Sequence, residues 1–504
     1  MHQVHNLIDL LCQDANLDNR SDKVLLQDAN NSLSPNALLE RCNTVAEALL
    51  AAQCKFVALY ADNSCDWVTI DLACQQASIC LIPIPTFFSK SQIAHVFDSV
   101  TIDMIVSDST EPFSAVPSLQ VDSITAIFGG QLQLIKLRNN RTRLALPPGT
   151  QKITFTSGST GQPKGVCLSV EQQLIQAKAL ATAVDLQQPR HLCLLPLSTL
   201  LENIAGTYAP LMAGGKVIIP SLAEVGFKGS SSLDPQRFCA AISRYQPNSI
   251  ILTPQLLVVL IAAATQGWVP PDSLQFVAVG GGRVSARLMA KAHQHNIPAY
   301  EGYGLSECVS VVSLNTPTNT GANSSGKPLP HLQVKTVNGE IIISGNTMLG
   351  YAGQPDSWGH TTTYSGDLGS LDSAGYLSVS GRKKNLLISS FGRNINPEWI
   401  EGELLANTAI ADAVVFGDDR PYCVALLFPR DPALTDHEIQ GLIDSVNNTL
   451  PDYARIVRWQ RFATTLNSQP GLLTDNGRPV RVAILTAYQA ILETLYPNDT
   501  QVFQ

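Results

Sequence analysis

A chain of 504 residues with 45% hydrophobic and only 15% charged residues is globular and long enough for several domains, which excludes a disordered polypeptide. A net charge of −8, with no long run of Lys and Arg, argues against nucleic acid as a partner, because phosphate backbones demand a basic stripe. The 11 cysteines are scattered singly from Cys12 to Cys423 with no C-x-x-C pair, so they read as reduced core thiols and argue against a disulfide framework or a zinc site.

The first residues, MHQVHNLIDLLCQDANLDNRSD, show no basic leader ahead of an apolar stretch, and the expected location is the cytoplasm. Ser34–Ala52 reads as a helix, with Ser34 as N-cap and Pro35 at the first helical position. Lys55–Tyr60, Gly215–Pro220, Ser249–Thr253 and Phe276–Val279 read as buried parallel strands, and Ser285–His295 as a helix. The apolar stretch Ile250–Ala264 is split by Pro254. It falls short of the roughly 20 apolar residues of a membrane span, so a strand and a core helix are expected, with a membrane segment as the weaker alternative. From Leu332 the texture becomes β-rich: Leu332–Val337, Asn338–Ser344 and Gly375–Val379 read as short strands joined by Gly turns. Beyond Gly381–Asn385, helices are predicted over Glu398–Ala406 and Asp436–Asn447, and strands over Asp412–Phe416 and Cys423–Phe428. The expected fold class is α/β: a large N-terminal domain of mostly parallel sheets with a small β-rich section, over residues 1–383, and a smaller C-terminal α+β domain over 384–504.

The densest chemistry lies in Thr156-Ser157-Gly158-Ser159-Thr160-Gly161-Gln162-Pro163-Lys164-Gly165, directly after a predicted strand end. Glycines let backbone N–H groups approach an anion, hydroxyls add donors, and Lys164 adds charge. These are the parts a triphosphate needs. The Walker A spacing is absent, since Pro163 stands five residues after Gly158.

This segment resembles the phosphate-loop signature of the adenylate-forming superfamily of AMP-binding enzymes. Further segments match in the same order. Glu301-Gly302-Tyr303-Gly304-Leu305-Ser306-Glu307 resembles the Y-G-x-T-E element, with Ser306 for the usual Thr. The resemblance implies that Tyr303 packs on adenine, Ser306 contacts the α-phosphate, and Glu307 holds Mg²⁺, with Thr160 as a second metal-side oxygen. Gly281 and Gly282, within Gly280–Gly282, resemble the G-G-A turn beside adenine and the acyl carboxylate. Ser365-Gly366-Asp367 resembles the T-G-D element, whose Asp takes the ribose hydroxyls, and Gly381-Arg382-Lys383-Lys384 resembles the hinge, with Arg382 on the ribose and Lys384 as pivot. Gly392 resembles the glycine beside the pantetheine tunnel. Leu195–Asn203 resembles the L-P-L-x-H-x-x-E segment of fatty acyl-CoA synthetases, with Thr199 at the His position, and Asp419–Leu426 also favours that branch. The main departure is Arg478, which falls where the family carries a catalytic Lys. Arg is a planar fork and Lys a point charge, so a slowed or specialised adenylation step is the sharper reading beside simple replacement. His293 and His295, two apart in a helical stretch, do not face each other and make no metal pair.

The resemblance implies ATP-dependent conversion of a carboxylic acid to acyl-AMP, with Lys164, Glu307 and Arg478 catalytic. Transfer to CoA and a swing of the C-terminal domain about Lys384 would follow. A medium- or long-chain fatty acid is the expected substrate. The alternatives are an aryl or amino acid, a phosphopantetheine carrier protein in place of CoA, and a low-turnover acyl-adenylate-binding protein.

Overall fold

The computed structural model describes residues 6–17, 23–114, 116, 119–138, 144–156, 163–228, 232–391, 393–469, 471–473 and 478–496. Two large sheets dominate. The nine-stranded sheet has a parallel centre formed by Arg190–Leu192, Ser249–Leu252, Phe276–Val279 and Ala299–Leu305. The eight-stranded sheet has a parallel centre that includes Phe56–Tyr60, Cys80–Pro83 and Lys152–Thr156. Antiparallel strands flank both centres, for example Lys164–Leu168 against Lys152–Thr156 and Ser310–Leu314 against Ala299–Leu305. The expected α/β class with parallel sheets therefore holds at the sheet centres and gives way at their edges.

Local sequence explains the helices. Ser34 caps Pro35–Ala51 by accepting from the Ala37 N–H, and Pro35 fills a first-turn position where no backbone donor is needed. Thr253 caps Pro254–Thr265 in the same way, accepting from the Leu256 N–H. That helix spans 12 residues and its apolar face is buried with Ile250–Leu252 in one core. No helix among the described residues is long and apolar enough to cross a membrane. Ten of the 11 cysteines are buried thiols, Cys12 being partly exposed, and burial raises those of Cys42, Cys65 and Cys193, among others.

A four-stranded antiparallel sheet follows, of Leu332–Val337, Glu340–Gly345, Thr362–Leu371 and Leu377–Arg382. The last segment folds as a three-stranded sheet, Ile410–Phe416, Cys423–Pro429 and Ile456–Arg461, packed by Pro397–Leu405 and Asp436–Asn447. Glu401 is buried there, accepting from the Val415 N–H at 2.7 Å and from Arg481 at 2.5 and 2.6 Å. A buried carboxylate is tolerable because both oxygens are satisfied.

Two features fix the cleft. Open α/β sheets bind ligands at the carboxyl ends of their strands. Here Leu252 leads to Thr253, Val279 to Gly280–Gly282, and Phe155 to Thr156 on the side of one common cavity. The second feature is a widened helical turn over Leu201–Tyr208, in which the Ala209 N–H reaches back five residues to the Ile204 carbonyl. Such i→i+5 segments occur often at functional sites. A buried network anchors this turn. Lys152 Nζ lies 2.9 Å from Asp71 Oδ1 and donates to Asn203 Oδ1 at 2.6 Å, and Tyr208 donates to Asp71 at 2.5 Å.

Candidate active site

The β-ladder itself brings together Asp367 and Arg382, the two residues expected at the ribose. Asp367 and Arg382 are cross-strand partners in the four-stranded sheet. Facing side chains on adjacent strands lie close enough to pair, and Arg382 Nε sits 2.7 Å from Asp367 Oδ1. The Tyr303 hydroxyl donates to the other oxygen, Asp367 Oδ2, at 2.7 Å. Burial raises the Asp367 carboxyl even though Arg382 and Tyr303 pull it down. Burial and the adjacent Asp367 charge raise the Tyr303 phenol, so it stays a donor.

Gly302 and Gly304 flank Tyr303 on Ala299–Leu305. A Cβ at Gly304 would stand 1.7 Å from the Ser310 carbonyl oxygen, so only glycine permits this approach of the neighbouring strand, where the register shifts between Tyr303 and Gly304. That bulge turns the end of the strand, and Glu307 follows on a single helical turn, Ser306–Cys308. The Tyr351 hydroxyl donates to Glu307 Oε1 at 2.8 Å, and Lys164 Nζ lies 5.1 Å from the centroid of the Tyr351 ring. Tyr351 thus touches both Lys164 and the carboxylate of Glu307. Glu307 keeps a second carboxylate oxygen for a hard cation beside Lys164, so the donor set fits Mg²⁺ on a phosphate.

From the C-terminal segment, Arg478 crosses to the same place. Its guanidinium donates to the Gly281 carbonyl at 2.5 Å. Walls of protein surround it, and burial together with the charge of Arg382 lowers its pKa, yet it keeps contact with solvent in the open cleft. Lys384 is likewise lowered by burial and by Arg382. Arg382 and Lys384 from one stretch of chain and Arg478 from another therefore gather around Asp367.

All of this borders one cavity of about 1430 Å³. Its wall takes in Thr156, Lys164, Gly281, Gly302, Tyr303, Gly304, Ser306, Glu307, Arg382 and Arg478. Asp367 stands behind Tyr303 and Arg382. Gly282 packs toward Pro254, and Glu301 turns aside to accept from Ser325 at 2.8 Å, so neither lies in that wall. Ser157, Gly158, Ser159, Thr160, Gly161 and Gly392 lie outside the described residues. His293 bonds the Ala299 carbonyl and His295 contacts Thr265, as expected for two histidines that do not cooperate. Sequence reasoning missed Tyr351, which carries no motif, and a buried trio. His191 Nδ1 lies 2.9 Å from Ser249 Oγ, and His191 Nε2 lies 3.0 Å from Glu202 Oε1. Glu202 was visible within the Leu195–Asn203 segment, but no signal in the sequence pairs it with His191.

The AMP-binding enzyme family model matches residues 13–352, and the model of the AMP-binding enzyme C-terminal domain matches 384–500. Among curated proteins, a 2-succinylbenzoate–CoA ligase of Staphylococcus epidermidis is 28% identical over 84% of this chain and 87% of its own length. The mitochondrial medium-chain acyl-CoA ligase ACSF2 of Mus musculus is 25% identical, covering 85% of this chain and 80% of its own. Among solved structures, the anthranilate CoA ligase AuaEII in complex with anthranoyl-AMP aligns with a TM-score of 0.81 at 18% identity, over 97% of this chain and 98% of that one. The o-succinylbenzoate coenzyme A synthetase of Bacillus subtilis, in complex with ATP and magnesium ion, aligns with a TM-score of 0.74 at 20% identity, over 94% and 98%. The chain belongs to the AMP-binding enzymes, the adenylate-forming superfamily, and has the build of an AMP-forming acid–thiol ligase.

Proposed function

We propose that the protein activates an apolar monocarboxylic acid with ATP and transfers the acyl group from acyl-AMP to the thiol of CoA. One observation carries this reading: a single cavity has a charged arm and an apolar arm. The charged arm holds Lys164, Tyr303, Glu307, Arg382 and Arg478. In the other arm Leu195, Leu256, Val259, Phe276 and Ala278 contribute to the wall. Among the described residues, the cations of the wall are Lys164, Arg382, Arg430 and Arg478, all on the nucleotide side or in the C-terminal segment. An acid with a second carboxylate at its far end would meet no Lys or Arg side chain there, and burying a charge without a counter-charge is costly. This supports a fatty or simple aryl acid over a dicarboxylate, although several relatives are 2-succinylbenzoate ligases.

In the first half-reaction the carboxylate attacks the α-phosphorus of ATP and pyrophosphate leaves. Lys164 and Arg478 would offset the charge that grows on the phosphates, while Asp367, held by Tyr303 and Arg382, accepts from the ribose hydroxyls. Mg²⁺, held at Glu307, supplies charge neutralisation on the phosphate oxygens. Positioning and electrostatics dominate such transfers. In the second half-reaction the thiol attacks the acyl carbonyl and AMP leaves. The Arg478–Gly281 contact belongs to the first step, so the C-terminal domain, residues 384–504, would swing about Lys384 before the second.

The test is acid-dependent pyrophosphate exchange across fatty, aryl, amino and dicarboxylic acids, with Lys164→Ala as blank. Exchange with apolar monoacids that is lost in the variant is expected. Exchange confined to dicarboxylic or amino acids would overturn the substrate class, and none with any acid would overturn the reaction.

A further inference from the structure

The apolar arm has a regular construction. The widened turn and the helix after it present Leu201, Ala205, Ala209 and Ala213 to the cavity, a stripe at a spacing of four. Opposite lies one face of the nine-stranded sheet. Strand alternation puts Phe276, Ala278 and Gly280 on that face, and Ser249, Ile251 and Thr253 beside them. The alanines leave a channel between helix and sheet. It begins at Thr253 and Gly280, next to the nucleotide, and runs to the amino ends of the strands at Ser249 and Phe276. Four residue steps at ~3.3 Å each make it about 13 Å long.

The inner end is polar. Ser249, His191 and Phe276 form one row across the sheet, because His191 pairs with Ser249 and Ser249 with Phe276. Behind them Glu202 Oε2 accepts from the Leu195 N–H at 3.2 Å, and Glu202 Oε1 faces His191 Nε2 at 3.0 Å. A carboxylate only accepts, so the geometry assigns the donor role to His191 Nε2 and leaves Nδ1 to accept from the Ser249 hydroxyl at 2.9 Å. Ser249 has then used its proton. Its oxygen retains lone-pair capacity toward the channel, whose wall it helps to form. The backing is rigid: Glu202 is fully buried, His191 nearly so, and a Cβ at Gly206 would stand 2.3 Å from Glu202 Oε1 and 2.8 Å from His191 Nε2.

We infer that Ser249, oriented by His191 and Glu202, stands in the wall of the acyl channel about 13 Å from its nucleotide end and accepts a hydrogen bond from a donor on the acid at that depth. The substrate class is an apolar monocarboxylic acid of about 13 Å bearing a distal hydroxyl. This rests on the acid-activating reading above. An ω-hydroxy fatty acid and a para-hydroxylated aryl acid share that chemistry, and the length of the channel favours the first.

The experiment compares kcat/KM for acid-dependent pyrophosphate release with matched pairs: decanoic acid against its ω-hydroxy form, and cinnamic acid against its para-hydroxy form. Native protein, Ser249→Ala and His191→Phe are used. The native protein is expected to favour a hydroxylated member by about tenfold, the size of one well-made neutral hydrogen bond. Ser249→Ala brings that ratio to near one. His191→Phe lowers it by freeing the Ser249 hydroxyl to turn. A native protein that favours the unsubstituted member of both pairs overturns the inference while leaving acid activation standing. So does an unchanged ratio in Ser249→Ala. Pyrophosphate release with no acid at all overturns both readings.

Discussion

The two arms of the cavity are built by different means. The nucleotide arm gathers charged and aromatic side chains from distant stretches of chain: Lys164, Tyr303, Glu307, Asp367, Arg382 and Arg478. Each is held by one or two directed contacts, such as the Arg382–Asp367 pair at 2.7 Å. The acyl arm is a gap between two regular elements, a stripe of alanines and a sheet face, with one polar row across it. The first arm discriminates through the chemistry of individual groups. The second discriminates through the volume left between them. Substitutions should therefore act on chemistry in one arm and on substrate range in the other.

The sharpest break comes from Arg478. Arg478→Ala should lower acyl-adenylate formation by about 10²–10³, as for loss of a transition-state charge partner. Thioester formation from presynthesised acyl-adenylate should fall far less. Equal losses in both half-reactions, measured separately, would remove Arg478 from the nucleotide arm. Arg478→Lys keeps the charge and asks whether the planar fork matters.

Next in size is Ala209→Phe, which fills the channel midway. Activity on decanoic acid should drop by about 10- to 100-fold, while butyric acid and ATP alone should bind as before. A chain-length profile gives the answer, and a uniform loss at every length would mean that the acid lies elsewhere. Gly206→Ala is a test of the polar row through stability. The new methyl group would collide with Glu202 and His191, a strain of about 1–3 kcal/mol, read as a shift in the urea midpoint.

The smallest effect concerns pH. Burial lifts the Glu301 carboxyl from 4.5 to about 7, against the pull of Ser325 and Arg283. Through that window the folded chain holds a proton that the unfolded chain has released. The resulting stability is complete below about pH 4.5 and is lost as pH rises through about 7. Glu301→Gln should flatten the decline of urea-unfolding free energy across this range. A slope that stays the same would assign the titration to another group.

The nucleotide arm was legible because its chemistry needs few residue types in fixed local company. Gly302, Tyr303 and Gly304 can be read as a unit, and so can Gly381 and Arg382. Arg478 was legible only through resemblance, and its contact with the Gly281 carbonyl crosses 197 positions of sequence. The strands and helices were read well where caps or apolar runs marked them, as at Ser34, Phe276–Val279 and Asp436–Asn447. Antiparallel edges escaped because an edge strand carries no pattern of its own direction. The acyl arm was illegible for a related reason. Ser249, Phe276 and His191 are ordinary strand residues until the register aligns them, and Ala205 and Ala209 look like any helix former. Glu301 shows the converse: the direction of its side chain, which turns to Ser325, is not written in the motif that contains it.

The brace among Asp71, Lys152, Asn203 and Tyr208 carries a lesson for recombination. Lys152 opens the strand that leads to the phosphate segment, Asn203 and Tyr208 lie on the buried side of the widened turn whose other side lines the acyl channel, and Asp71 sits on the helix Cys65–Gln76. Fully buried, the Lys152–Asp71 pair would leave an orphan charge if either partner were replaced alone, at about 3–5 kcal/mol. A chimera that takes new substrate range from a relative cannot exchange residues 201–213 as a cassette. The graft must carry compatible residues at 71 and 152, or replace the whole buried set with apolar side chains of matching volume. Crossovers placed before residue 71 or after 208 keep the set together, and libraries built on those joints should yield the larger share of folded members.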